Sequence, residues 1–152
     1  MDLQTLSQFL VKAKLDTYAK SGETGEVILP DGRKRFEFSD GDFKYIDIYS
    51  GFNPFAGQET VYYQDQLVWE MSYQGEISDQ EIEAKQVYQF LKKALQQVKI
   101  DKPFRGPSRL TEGEFEYINK VEGNIKKFQG VEKICLNKKE VYQLSYSGGV
   151  RK

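Results

Sequence analysis

The chain carries one pattern twice, and this repetition narrows its folds more than any other feature. Residues 40–75 read DGDFKYIDIYSGFNPFAGQETVYYQDQLVWEMSYQG, and residues 112–148 read EGEFEYINKVEGNIKKFQGVEKICLNKKEVYQLSYSG. With one residue inserted in the second loop, twelve positions coincide. Gly41, Phe43, Tyr45, Ile46 and Gly51 match Gly113, Phe115, Tyr117, Ile118 and Gly123. Phe55, Gly57, Glu59 and Val68 match Phe128, Gly130, Glu132 and Val141, and Ser72, Tyr73 and Gly75 match Ser145, Tyr146 and Gly148. Ordinary residue usage gives roughly two coincidences over such a length, so duplication is the better explanation. The echo reaches back into two helical segments, where Gln8–Ala13 resembles Gln89–Ala94. The repeats then run from about 3 to 75 and from about 82 to 148, inside a single domain of residues 1–152.

Apolar periodicity assigns the elements. Leu3, Leu6, Phe9, Leu10 and Ala13 fall on one helical face, as do Val87, Leu91, Ala94, Leu95 and Val98. Ser78 followed by Glu81 reads as a capping box opening the second helix. Between the helices the period drops to two. Val27–Leu29 and Arg35–Phe38 flank the turn Pro30-Asp31-Gly32, and strands are expected at 42–49, 58–64, 67–74, 114–121, 131–136 and 140–147. Short polar connections favour antiparallel pairing. The expected fold is α+β: an antiparallel sheet, or two abutting half-sheets, with both helices packed on one face and a pseudo-two-fold duplication. A closed barrel is the alternative.

Composition closes off several chemistries. Histidine is absent, which removes Ser-His-Asp and Cys-His nucleophilic machinery and His-type zinc sites. The 22 basic and 23 acidic residues form no basic stripe of the kind that phosphate neutralisation leaves on a nucleic-acid binder. The single Cys135 allows no internal disulfide, and Lys133, on the same strand, is the basic neighbour nearest in sequence to activate it; a plain packed thiol is the better reading. Asp40, Asp42 and Asp47 lack calcium-loop spacing, and no glycine-rich phosphate cradle is present, so no metal and no cofactor are expected. No stretch approaches a membrane span, and Met1–Leu15 lacks the apolar core of a signal peptide, which points to the cytoplasm.

Together, LPDG at 29–32, GDFKY at 41–45, NPFAGQE at 53–59, PFRGP at 103–107 and GEFEYIN at 113–119 resemble a family of bacterial and archaeal domains of unknown function. The resemblance covers nearly the entire chain. Some members of that family follow an N-terminal helix-turn-helix and are described as transcriptional regulators, which implies an effector-sensing or partner-binding module. Here the repeat begins at Leu3, leaving no room before it for a DNA-binding domain, so direct DNA contact is not expected.

Strand parity singles out one polar constellation. Phe43, Tyr45, Asp47 and Tyr49 share a face, Glu59 points with Val61 and Tyr63, and Asn119 and Glu132 hold the matching places beside Tyr117. A carboxylate turned towards aromatic walls must find donors or hold its proton more tightly. Asp47, Glu59, Asn119 and Glu132 therefore form either a structural network or the floor of a cleft, with Tyr45, Tyr117 and Trp69 around it. Asn53 and Pro54 break the repeat beside Phe55, and Asn53, Phe55, Phe104 and Arg105 are candidates for its rim. The leading expectation is a non-catalytic binding domain for a small molecule or protein. The alternatives are an enzyme with Asp47 or Glu59 as general base, and a structural protein, with a homodimer left open.

Overall fold

The computed structural model describes residues 1–20 and 25–152. Helix α1 spans Leu3–Asp16, and the Asp2 carboxylate caps it by accepting from the Thr5 amide at 3.0 Å. Five strands follow: β1 (Val27–Ile28), β2 (Lys34–Asp40), β3 (Phe43–Gly51), β4 (Phe55–Tyr63) and β5 (Gln66–Ile77). Helix α2 (Ala84–Leu95) leads to β6 (Arg109–Glu112), β7 (Phe115–Asn124), β8 (Lys127–Leu136) and β9 (Lys139–Val150).

The nine described strands form one antiparallel sheet in the order β1-β2-β3-β4-β5-β9-β8-β7-β6. The two arms meet at the β5–β9 pair, which runs from Trp69 opposite Val150 to Ile77 opposite Tyr142. Read outward from this seam, each arm is a meander with the same internal register. Asp47 lies opposite Glu59, and Asn119 lies opposite Glu132. Both arms shift register at one place, between Val61 and Tyr62 and between Ile134 and Cys135. Both turn through two consecutive left-handed residues, Gln64 and Asp65 in one and Asn137 and Lys138 in the other. Such two-residue turns match the twist of the strands they join.

Leu6, Phe9, Leu10 and Ala13 are the buried stripe of α1, and Phe9 stacks on Phe43 of β3 at 4.8 Å. Val87, Phe90, Leu91, Ala94 and Leu95 play the same part in α2, where Phe90 stacks on Phe115 of β7 at 5.0 Å.

The expected antiparallel sheet forms, and among the described strands it has β1 and β6 at its two ends rather than closing into the alternative barrel. Two details differ from or add to the sequence pattern. Helix α2 starts at Ala84, because β5 continues to Ile77 and the Ser78 amide still bonds the Val141 carbonyl, so no capping box forms. A short outer strand, β6, pairs with β7 in a stretch to which the pattern assigned no element.

Candidate functional site

Alternation along β3, β4, β7 and β8 brings Asp47, Glu59, Asn119 and Glu132 to one face, and each accepts a tyrosine hydroxyl there. Tyr45 donates to Glu59 Oε1 at 2.6 Å and Tyr73 to Asp47 Oδ1 at 2.6 Å. Tyr117 and Tyr142 donate to Glu132 at 2.5 and 2.8 Å, and Tyr146 donates to Asn119 Oδ1 at 2.7 Å. Two glycines permit this layer. A Cβ on Gly57 would lie 2.3 Å from the Tyr73 hydroxyl, and one on Gly130 would lie 2.3 Å from Tyr146 Cζ.

Each glutamate has its own buried cation. Lys14 sits one turn beyond Leu10, on the apolar side of α1, and its ammonium donates to Glu59 Oε1 at 2.8 Å and to the Phe104 carbonyl at 2.7 Å. Arg105, in the segment between α2 and β6, grips Glu132 with two bonds, Nε at 3.1 Å and a terminal nitrogen at 2.6 Å. Burial lowers the Lys14 ammonium from its ordinary value against the pull of Glu59. Burial also works against the Arg105 charge, yet the Glu132 carboxylate holds that guanidinium well above its ordinary value. Glu59 Oε2 and Trp69 Nε1 are buried without a partner among the described residues.

Asp47 is different. Among the described residues Tyr73 is its one hydrogen-bond partner, and no cation lies within ion-pair distance of it. Burial, with the Glu59 charge adding to it, pushes its carboxyl up to about 8. Asn119 holds the same register place in the other arm. Its amide nitrogen bonds the Gly106 carbonyl at 3.0 Å, so its hydrogen bonding is completed within the fold.

Asp47 also borders a cavity of about 270 Å³ between Thr17 and Tyr18 just after α1, helix α2 and the first arm of the sheet. Phe36, Tyr49, Phe52, Phe55, Tyr73 and Tyr88 form much of its wall, with Arg105 and Tyr18 beside the acid. Glu26, which accepts the Tyr49 hydroxyl, and Lys92 are further lining residues. In the second arm the corresponding surface is covered. Phe104 stacks on Phe128, the counterpart of Phe55, at 4.0 Å, and Gly106 bonds both Tyr117 and Asn119. A larger hollow of about 1020 Å³ lies on the opposite face, lined by residues such as Ser72, Gln74, Lys120, Lys133 and Gln143. It is the curved, solvated side of the sheet, and none of the buried acids lines it.

The rim residues separate. Phe55 and Arg105 line the cavity, whereas Phe104 is 2% exposed and belongs to the core, so its place at a rim is corrected. Asn53 holds the end of β5, accepting from the Ile77 amide at 2.8 Å, and does not line the cavity. Tyr45, Trp69, Tyr117, Glu59 and Glu132 are fully buried and back the site from inside. Sequence reasoning missed Lys14 and Tyr88. The signal for Lys14 was present, since a lysine four residues after Leu10 continues the apolar stripe.

A family model for a domain of unknown function, DUF5680, matches residues 47–150. The match is shorter than the near-complete resemblance read from the residues; α1, β1, β2 and the first residues of β3 lie outside it, along with the LPDG and GDFKY segments. No curated protein and no solved structure matches the chain. Over residues 47–150, from the middle of β3 to the end of β9, the chain belongs to the DUF5680 family.

Proposed function

We propose that this chain is a small-molecule-binding domain of the effector-sensing type, without catalytic activity, that takes its ligand in the aromatic cavity beside Asp47. The observation that carries this reading is the asymmetry between the arms. Where the second arm is covered by Phe104 and Gly106, the first keeps a cavity with aromatic walls and an acid at its base. Cavities of this make-up, mostly apolar with few convergent polar groups, are the usual form of a ligand site. The resemblance to a family of bacterial and archaeal domains of unknown function, some of whose members follow a helix-turn-helix, agrees with it. A cytosolic location is part of the proposal; no described helix is long and apolar enough to cross a membrane.

Duplication of a helix-plus-meander unit accounts for the shared register, turns and bulges. Matching Phe9–Phe43 and Phe90–Phe115 stacks support docking of both helices on one face. A binding role then arises from divergence of one copy, which leaves its cavity open. The enzymatic alternative rests on the raised carboxyl of Asp47. Glu59 offers it no second group, since that side chain is sealed and paired with Lys14. A purely structural or homodimer-forming role leaves the cavity without a use.

Native mass spectrometry of freshly purified protein tests for a co-purified small molecule, and an amide NMR titration with a fragment mixture locates binding. Shifts concentrated at Tyr49, Phe55 and Tyr88 are expected. Binding confined to the open sheet face, or no binding at all, defeats the proposal.

A further inference from the structure

We propose that the ligand of this cavity is an organic cation, a protonated amine on an apolar body, with Asp47 as its counter-ion. This rests on the cavity being a ligand site and adds the chemistry of what enters it.

The other buried charges pair off. Among the described buried groups, Lys14 is matched by Glu59 and Arg105 by Glu132, each at hydrogen-bond distance. Asp47 is left over. It is 3% exposed and borders the cavity, and it has a tyrosine but no cation. A buried carboxylate without a positive partner is costly, and an arriving ammonium removes that cost. Lys92 also lines the cavity, but an anionic ligand would lie against the Asp47 and Glu26 carboxyls, and the buried Arg105 guanidinium is already committed to Glu132 through two bonds.

The other arm shows what the tyrosine bond at this position requires. Tyr146 bonds Asn119 as Tyr73 bonds Asp47, at 2.7 and 2.6 Å. A neutral amide therefore accepts the tyrosine hydroxyl as a carboxylate does, and the Tyr73 bond does not by itself call for an acid. The acid occurs only in the arm whose cavity is open. The walls favour a cation as well: aromatic faces attract positive charge, most strongly where water is excluded, and Phe36, Tyr49, Phe55, Tyr73 and Tyr88 surround the space.

Proton linkage follows. The groups around Asp47 are Glu59 from β4, Tyr73 from β5, Lys14 and Tyr18 from α1 and the residues after it, and Arg105 from the segment before β6, with Glu132 of β8 behind Arg105. The charged members form the two closed pairs, so Asp47 is the group whose proton an incoming cation displaces. Cation affinity then rises with pH until Asp47 is ionised in the free protein, near pH 8.

The test uses three matched probes, 2-phenylethylammonium, 2-phenylethanol and phenylacetate, titrated against the wild-type chain and Asp47→Asn by amide NMR. For the wild type, the ammonium should bind roughly tenfold or more tighter than the alcohol, and more tightly at higher pH. Asp47→Asn should keep its NMR dispersion, as Asn119 accepts the matching tyrosine hydroxyl, while losing both the preference and the pH dependence. If the alcohol or phenylacetate binds as well as the ammonium, the cation assignment is wrong and the cavity reading stands. If Asp47→Asn keeps the preference, Asp47 is not the counter-ion. If none of the three shifts the cavity residues, both the assignment and the cavity reading fall.

Discussion

Asp47 and Asn119 differ by one atom type at one register position, and much of the chemistry of the molecule turns on that difference. The carboxyl at 47 moves from an ordinary 3.8 to about 8 on burial. Between these values the folded chain keeps a proton that the unfolded chain gives up, so stability falls as pH rises through this window and is level above it. Asp47→Asn should abolish that slope. At about pH 9 the variant should be more stable than wild type by at least ~1 kcal/mol, since each tenfold change in proton affinity on folding is worth about 1.4 kcal/mol. At about pH 3.5, below the ordinary carboxyl value, the two should nearly coincide. Denaturant midpoints at both pH values decide it, and parallel pH profiles would sink the idea. Gly57→Ala drives a methyl into the Tyr73 hydroxyl and should cost roughly 1–3 kcal/mol by overpacking. A thermal or urea midpoint unchanged by the substitution contradicts that contact. At this scale the sequence was informative about the acids, because strand parity aims Asp47, Glu59, Asn119 and Glu132 inward. Their counter-charges were less visible. Lys14 is 45 positions from Glu59 and belongs to a helix, so no strand pattern connects them.

Among the elements, α1 is tied to the sheet at one polar point inside an apolar contact. Lys14 joins Glu59 of β4 and the Phe104 carbonyl of the segment before β6. Lys14→Met strands a buried carboxylate and should cost about 3–5 kcal/mol. Pairing it with Glu59→Gln should recover part of the loss, because the second change removes the stranded charge. Chemical denaturation of both single variants and the double closes the cycle, and strictly additive losses would show that the pair does not interact. Period-two patterning made the inner strands legible in sequence, but every one of them extends further than that pattern. Tyr142–Tyr146 alternates visibly, for example, whereas the Gly148 and Gly149 end of β9 has no side chains to alternate. Strand β6 escaped notice because Arg109–Glu112 is only partly buried and carries no apolar rhythm. Ser78 and Glu81 misled for a physical reason: tertiary pairing with Val141 outweighed a local capping preference.

Over the whole molecule the two arms interlock. Arg105 of the second arm packs over the rings of Tyr18 and Tyr73 of the first, and Lys14 of the first bonds the backbone of the second at Phe104. A fragment of residues 1–80 should therefore lack fixed structure alone and regain it when mixed with residues 81–152, as circular dichroism of each and of the mixture will show. Independent folding of either fragment contradicts the interlock. The mirrored strand order also has a consequence in time. Strand β9, the last in chain order, lies in the interior of the sheet between β5 and β8. As the chain emerges from the ribosome, the first meander is complete while β5 still has an open side, twelve residues long and carrying Trp69 and Met71. Until β9 arrives, that side is a bare edge able to recruit another nascent chain. The whole second meander must be threaded out before the gap is filled, which makes closure a late, long-range event in the life of each molecule.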